Sequence, residues 1–202
     1  MFQVRIHGRG GQGVVAAAEI LSMAAFDEGR HAQAFPSFGS ERMGAPVVSY
    51  CRIDDGPIRT HEPIAEPDAL IVQDASLVHQ VDLFGGLVHD AYVIVNTSKS
   101  FEELGLAEFV SGYRADRLVT CPATTLALEH VGRPLPNAAL LGGFAALTGR
   151  ISLDALQKAV TERFPGTVGT ANAAAARAAH RHVTDQVRMG RDREVATRAP
   201  AD

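Results

Sequence analysis

A strict alternation of apolar and polar residues opens the chain and predicts a β-strand over residues 2–7. The spacing then changes: apolar side chains fall on one helical face, which predicts a helix over residues 14–28. Gly29 suits the end of that helix, because glycine readily takes the left-handed conformation found there. A second strand near residues 31–35 would complete a strand–helix–strand unit.

Short apolar runs and helical patterns alternate along the rest of the chain. Strands are predicted near residues 47–53, 69–73, 91–96 and 117–123. Helices are predicted near residues 76–83, 101–109, 124–131, 137–148, 152–163 and 170–188. A turn at residues 54–57 and an extended piece near 58–60 indicate a hairpin or an antiparallel strand.

This order of elements predicts an α/β fold: a Rossmann-like layered fold with a mainly parallel sheet, helices on both faces and a small antiparallel excursion near 47–60. We expect one domain over residues 1–189. Residues 190–202 are charged, rich in Ala and Pro and without apolar periodicity, so we expect a mobile C-terminal tail.

A glycine-rich turn, Gly8-Arg9-Gly10-Gly11-Gln12-Gly13, joins the first strand to the first helix. Backbone N–H groups at such a turn lack partners within the helix, and the helix dipole adds positive charge, so a phosphate is the natural ligand. The alternative interpretation is a turn that only packs the strand against the helix. An NAD site would need an acidic residue at the end of the second strand, and residues 31–36 contain none. An ATP-binding P-loop would need Lys and Ser or Thr after Gly13, where Val14 and Val15 stand.

Composition narrows the function further. The 202 residues are 46% hydrophobic and 21% charged with a net charge of −4, so no basic nucleic-acid footprint is present. The two cysteines, Cys51 and Cys121, form no Cys-x-x-Cys pair, so this chain alone cannot supply four cysteines to an iron–sulfur cluster. Isolated cysteines, no signal-peptide pattern and no long apolar run predict a cytoplasmic protein without a membrane span. The eight histidines form no metal-binding pattern, and we predict no metal ligand and no catalytic residue in this chain.

Two segments together resemble a known family. Residues 8–15 resemble the opening of the gamma subunit of 2-oxoacid:acceptor oxidoreductases, the family of pyruvate:ferredoxin, ketoisovalerate and phenylglyoxylate oxidoreductases. Residues 33–47 look like the second signature of the same family, in which Met43 is a mild departure from the usual Arg-Gly-Gly or Arg-Arg-Gly. Residues 137–144 match a third, weaker pattern. The resemblance covers the chain up to the tail.

The resemblance implies a subunit that is catalytic only in a complex. The complex would oxidise a 2-oxoacid to acyl-CoA and CO₂ with thiamine diphosphate, Mg²⁺ and [4Fe–4S] clusters, all held by partner subunits of a hetero-oligomer that is itself dimerised. This chain would contribute to CoA binding and to assembly. The residues that the resemblance places toward the CoA phosphates are Gly8, Arg9, Gly10, Gly11, Gln12, Gly13, Ser40, Glu41, Arg42 and Gly44.

Arg42 is the strongest candidate for a bidentate phosphate contact, because its planar guanidinium carries five donors. An ion pair with Glu41 or Asp74 is the alternative for Arg42. Phe35 and Phe38 flank the same loop and suit either adenine stacking or packing. Two other functions stay open: the small subunit of an indolepyruvate oxidoreductase, or a free-standing Rossmann-like nucleotide-binding protein.

Overall fold

A computed structural model describes residues 1–37 and 43–198, with side chains described up to residue 189. Six strands form one sheet: β1 Phe2–Arg9, β2 His31–Pro36, β3 Pro46–Asp54, β4 Ala69–Val72, β5 Tyr92–Asn96 and β6 Leu118–Cys121. The helices are α1 Val14–Asp27, α2 Ala107–Ser111, α3 Ala123–Val131, α4 Asn137–Thr148, α5 Leu153–Arg163 and α6 Thr167–Arg198. Two short 3₁₀ helices span Ala75–His79 and Ala115–Arg117.

The sheet order is β2-β3-β1-β4-β5-β6. Strands β1, β4, β5 and β6 run parallel, whereas β3 is antiparallel to both β1 and β2. The predicted α/β fold with a mainly parallel sheet and an antiparallel excursion is confirmed. The predicted first strand–helix–strand unit is altered, because β3 lies between β1 and β2 and separates them.

Successive side chains of the strands point to opposite faces of the sheet, and each face is covered by a hydrophobic core. The two cores differ in size. Ile6, Ile71 and Ile94 point toward the core formed with α1, α4, α5 and α6. Leu70 and Val93 point the other way, into a smaller core that is closed by the 3₁₀ helix Ala75–His79 and the segment leading into α2. The long helices therefore lie on one face, and shorter elements cover the other.

Three predicted elements differ from the structure. Residues 58–60 form no strand, the helix near 76–83 shortens to a 3₁₀ turn, and the helix near 101–109 becomes α2. Helix α6 continues past residue 189, where the apolar stripe ends, because residues 190–198 are mostly good helix formers. The mobility of the charged C-terminal residues stays a prediction. No helix in the described residues combines the length and the apolarity needed to cross a membrane.

Helices α4 and α6 approach at a glycine. A Cβ added to Gly142 would lie 2.0 Å from the carbonyl oxygen of Ala176 on α6. Ala173, Ala176 and Ala179 are buried in the same core. The small residues of α6 thus serve packing within the chain.

Replacing Gly142 by Ala should therefore destabilise the protein. We expect the free energy of unfolding to fall by roughly 1–3 kcal/mol, because the backbone of α6 must move to admit the methyl group. Chemical denaturation measures the change. Gly56→Ala is the matched control, since a Cβ at Gly56 meets nothing within 4 Å. Equal stability of Gly142→Ala and wild type would contradict the close approach of the two helices.

His7 and Arg5 are buried on the face of β1 that carries the smaller helices. Arg5 donates to the carbonyl oxygens of Leu83 at 2.8 Å and Gly85 at 2.7 Å. Burial lowers the pKa of His7 from 6.5 to about 4, and the Arg5 charge acts in the same direction. His7 is therefore neutral in the folded protein at neutral pH.

This burial predicts acid sensitivity. Since the unfolded chain binds a proton at His7 near pH 6.5 and the folded chain only near pH 4, stability falls as pH drops through that window, by up to about 3 kcal/mol. Unfolding at pH 7, 5.5 and 4.5 measures the loss. His7→Gln should flatten the dependence, whereas His31→Gln, on the exposed end of β2, should not. Identical pH slopes in wild type and His7→Gln would contradict the expectation.

Candidate functional site

The glycine-rich turn lies at the carboxyl end of β1, where ligands bind in parallel α/β sheets. Gly10 donates its backbone N–H to the Ala45 carbonyl at 2.9 Å, and Gly44 donates to the Gly10 carbonyl at 3.1 Å. Gly11 and Gly13 have φ angles of 92° and 73°, in the left-handed region that favours glycine. The turn is thus fastened to the segment that leads into β3.

Gly8 has a packing role. A Cβ at Gly8 would lie 2.7 Å from a methyl carbon of Val14 and 3.1 Å from the Cβ of Gln73. Strand β1 therefore approaches both α1 and the end of β4 at this position. The interpretation of the turn as packing between strand and helix holds for Gly8 itself.

The first turn of α1 leaves its backbone donors open. Gly13 occupies the N-cap position, no side chain caps the helix, and its first turn contains no acidic residue. The backbone N–H groups of Gly11, Gly13 and residues 14–16 find no acceptor among the described residues. With the dipole of a 14-residue helix behind them, these five donors form a site that attracts anions.

Arg9 is used within the chain. Its guanidinium contacts Asp74 Oδ2 at 3.1 Å, the Gly44 carbonyl at 3.0 Å, Ser76 Oγ at 2.7 Å and Gln80 Oε1 at 2.8 Å. Four of its five N–H donors are thereby satisfied. Arg9 therefore ties the turn to the end of β4 and the following 3₁₀ helix.

Gln12 and Asp74 complete this network. Gln12 Oε1 accepts from the Arg9 backbone N–H at 2.8 Å, and Gln12 Nε2 donates to Asp74 Oδ2 at 3.0 Å. Burial acts to raise the pKa of Asp74, but hydrogen bonds from Ser76 and Gln12 and the charge of Arg9 hold it below its ordinary value. Asp74, one of the two acids considered as an ion-pair partner for Arg42, thus accepts hydrogen bonds from Arg9 and Gln12.

The second predicted segment is described only in part. Ser40, Glu41, Arg42 and Phe38 lie outside the described residues. Gly44, with φ 78°, accepts from Arg9 and belongs to the network. Phe35 packs on Tyr50 with ring centroids 5.1 Å apart and carries the Arg52 guanidinium over its face, so it contributes to the sheet surface.

Polar side chains that the sequence analysis did not single out follow the neighbouring strands. Asn96, at the end of β5, donates to the Gln73 carbonyl at 2.8 Å and to Thr124 Oγ1 at 2.7 Å. Gln73 is 1% exposed, and both polar atoms of its side chain lack a partner in the described structure. The available signal was a polar residue directly after each apolar run.

A cavity of about 420 Å³ opens on the helix side of the turn, beside Gly11, Gly13 and Ala16. Its volume lies in the range of small-molecule sites. Within the described part of the chain, His, Cys, Asp and Glu residues form no group of three or more suited to a metal ion. The described part of this arrangement can hold an anion by its backbone donors.

Comparisons with known proteins agree on one family. The sequence model for "Pyruvate ferredoxin/flavodoxin oxidoreductase" matches residues 3–182. The chain is similar to "Pyruvate synthase subunit PorC" of Methanothermobacter thermautotrophicus, with 46% identity over 91% of this chain and 96% of the relative. It is similar to "Pyruvate/ketoisovalerate oxidoreductases common subunit gamma" of Pyrococcus furiosus, with 48% identity over 89% of this chain and 96% of the relative.

Two solved structures share the fold. Pyruvate oxidoreductase subunit PORC from Thermotoga maritima matches with a TM-score of 0.74 and 33% identity, over 89% of this chain and 95% of that one. The 2-oxoglutarate:ferredoxin oxidoreductase from Magnetococcus marinus, solved with 2-oxoglutarate, coenzyme A and succinyl-CoA bound, matches with a TM-score of 0.69 and 16% identity. It covers 92% of this chain and 31% of that longer one, and at this identity it shows the fold alone.

The Arg9–Asp74 pair should contribute measurably to stability. Its side chains are only 22% and 20% exposed, so a double-mutant cycle with Arg9→Ala and Asp74→Ala should give a coupling energy of about 1 kcal/mol. The pair of Arg163 and Glu19, at 42% and 47% exposure, is the control and should couple by less than about 0.5 kcal/mol. Equal coupling energies in the two cycles would contradict a special role for Asp74.

Proposed function

The chain belongs to the pyruvate ferredoxin/flavodoxin oxidoreductase family as the gamma subunit of a 2-oxoacid oxidoreductase complex, and we propose that it holds phosphates of coenzyme A at its glycine turn. One observation carries the proposal: five backbone donors at the start of α1 have no partner among the described residues, and the first turn of this helix contains no acidic residue. Backbone donors at a helix N-terminus suit a phosphate, and coenzyme A supplies several.

The reaction proposed for the complex converts a 2-oxoacid and coenzyme A to acyl-CoA and CO₂, with two electrons passing to an acceptor. Thiamine diphosphate, Mg²⁺ and [4Fe–4S] clusters belong to partner subunits in this proposal. The sequence supports the division, because Cys51 and Cys121 are too few for a four-cysteine cluster and both are buried. A subunit of this kind binds and positions a substrate, and the chemistry takes place elsewhere in the complex.

The geometry refines the proposed roles. Gly11 and Gly13 present backbone donors directly, and Gly8 and Gly10 set the approach of the turn to its neighbours. Arg9 and Gln12 act through Asp74 to hold the turn in shape. Ser40, Glu41 and Arg42 stay proposed ligand contacts, with Arg42 as the cation that faces a phosphate.

Partner and location follow from the same proposal. The relatives are named as subunits of pyruvate or ketoisovalerate oxidoreductases, which supports a hetero-oligomer with thiamine-binding and iron–sulfur chains. These names favour that class over the small subunit of an indolepyruvate oxidoreductase. We also propose a cytoplasmic location, supported by two free cysteines. Purification of the tagged chain from its own cells tests the assembly, and recovery of the chain without either partner would count against it.

Arg42→Ala in the assembled complex tests the phosphate contact. We expect the apparent KM for coenzyme A to rise roughly tenfold, as for loss of one charged hydrogen bond worth about 1.5 kcal/mol, with kcat nearly unchanged. Steady-state oxidation of pyruvate measures both constants. Arg30→Ala is the control, because Arg30 pairs with Asp55 and the Arg150 carbonyl away from the turn. An unchanged KM for coenzyme A in an intact complex would remove Arg42 from the site.

A further inference from the structure

The cavity beside the glycine turn has walls from four separate parts of the chain. They are the turn with the start of α1, the connection between α3 and α4, the end of α5 and the start of α6. No acidic residue lines it in the described structure. Its polar side chains are Arg133, Asn137 and Asn172. The glycine pattern signalled none of these three as part of a site.

Asn137 lies directly against the turn. Its side chain is buried, and the residue is 5% exposed. Its Oδ1 accepts from the Ala138 backbone N–H at 2.9 Å, which leaves Nδ2 as a donor without a partner in the described residues. A Cβ on Gly13 would lie 2.6 Å from this Nδ2, so the amide rests on the α carbon of Gly13. An unpaired side-chain donor therefore stands beside the unpaired backbone donors of α1.

Arg133 adds a positive charge at the rim. It follows Gly132, which ends α3 with φ 74°, and it is exposed. Its guanidinium makes no hydrogen bond or ion pair with the described residues, although the residue lines the cavity. All five guanidinium donors are thus available to an anion, in contrast with those of Arg9.

Asn172 and the apolar residues that line the cavity indicate the chemistry of the rest of the ligand. Asn172 is 5% exposed and donates from Nδ2 to the Val168 carbonyl at 2.9 Å, which leaves its Oδ1 free to accept. A free acceptor suits a hydroxyl or amide N–H on the ligand. Leu135, Phe164 and Val168 supply apolar wall for the organic portion. The cavity thus has one end suited to bind an anion and another end suited to the organic part of the ligand.

We propose that this cavity seats one phosphate group of an organic phosphate, held by the free α1 amides, Asn137 Nδ2 and Arg133. Asn172 Oδ1 accepts from a hydroxyl or amide of the same ligand. This proposal rests on the proposed function, in which the ligand is coenzyme A, and adds the connection between α3 and α4 and the start of α6 to the site. It places this phosphate on the helix side of the turn, apart from any contact that Arg42 makes.

Titration calorimetry of the full-length chain with inorganic pyrophosphate tests the seat. We expect wild type to bind, Arg133→Gln to bind about tenfold more weakly, and Asn137→Asp to lose binding, since it replaces a donor by a negative charge of the same shape. Arg181→Gln is the matched control: it removes an equal charge from an exposed residue of α6 outside this cavity, and should bind as wild type. Thermal unfolding checks that the Asn137→Asp variant is folded. If that variant is unfolded, the pyrophosphate affinity of Arg133→Gln tests the seat by itself, because Arg133 is an exposed residue of a connection.

The outcomes separate this inference from the function. Wild-type affinity in both Arg133→Gln and folded Asn137→Asp would overturn the seat and leave the proposed function standing. Failure of the chain to bind pyrophosphate while the assembled complex binds coenzyme A would do the same. Failure of both ligands to bind would overturn both proposals. Displacement of pyrophosphate by coenzyme A supports both, and preferential displacement by ADP supports the seat while overturning coenzyme A as its ligand.

Discussion

The carboxylate of Asp74 is the interaction on which the shape of the site depends. It accepts from Arg9 and Gln12 of the turn and from Ser76 of the following 3₁₀ helix. Through Arg9 the network also reaches the Gly44 carbonyl before β3. One acidic side chain thereby joins the carboxyl ends of β1 and β4 to the segment entering β3. Burial acts to raise the pKa of Asp74, but these hydrogen bonds and the charge of Arg9 keep it below its ordinary value, so the junction is built on a charged carboxylate at neutral pH.

This network explains why the turn can leave its own donors unpaired. A buried helix start without caps is ordinarily costly, and helices usually meet that cost with a Ser, Thr, Asp or Asn. Here Gly13 takes the cap position and the stabilisation comes from side chains behind the turn. The first backbone donors of α1 meet no acceptor among the described residues, and Arg9 and Gln12 hold the backbone that presents them. The predicted contact of Arg9 and Gln12 with a ligand stays a prediction.

The sequence predicted the fold well and the site in part. The α4 prediction matches the structure because residues 137–148 form a nearly continuous apolar segment closed by Gly149. The turn was predicted because its glycines are local in the sequence. The sequence did not predict the position of β3 between β1 and β2, because strand order depends on long-range pairing. The sequence did not predict the roles of Asp74 and Asn137 for the same reason. Each residue lies more than 60 positions along the chain from the turn that it contacts, and residue spacing does not indicate contacts over such a separation.

The antiparallel β3 has one further consequence. Strand β2 ends at Pro36, β3 begins at Pro46, and Pro46 is opposite Arg9 of β1. Both anchors of the intervening segment are therefore fixed by sheet register at the edge where the turn lies. The closure entropy of a connection grows slowly, by about 0.6 kcal/mol for each doubling in length. A longer connection between these anchors would therefore cost little in closure entropy, while the sheet and its core keep their register.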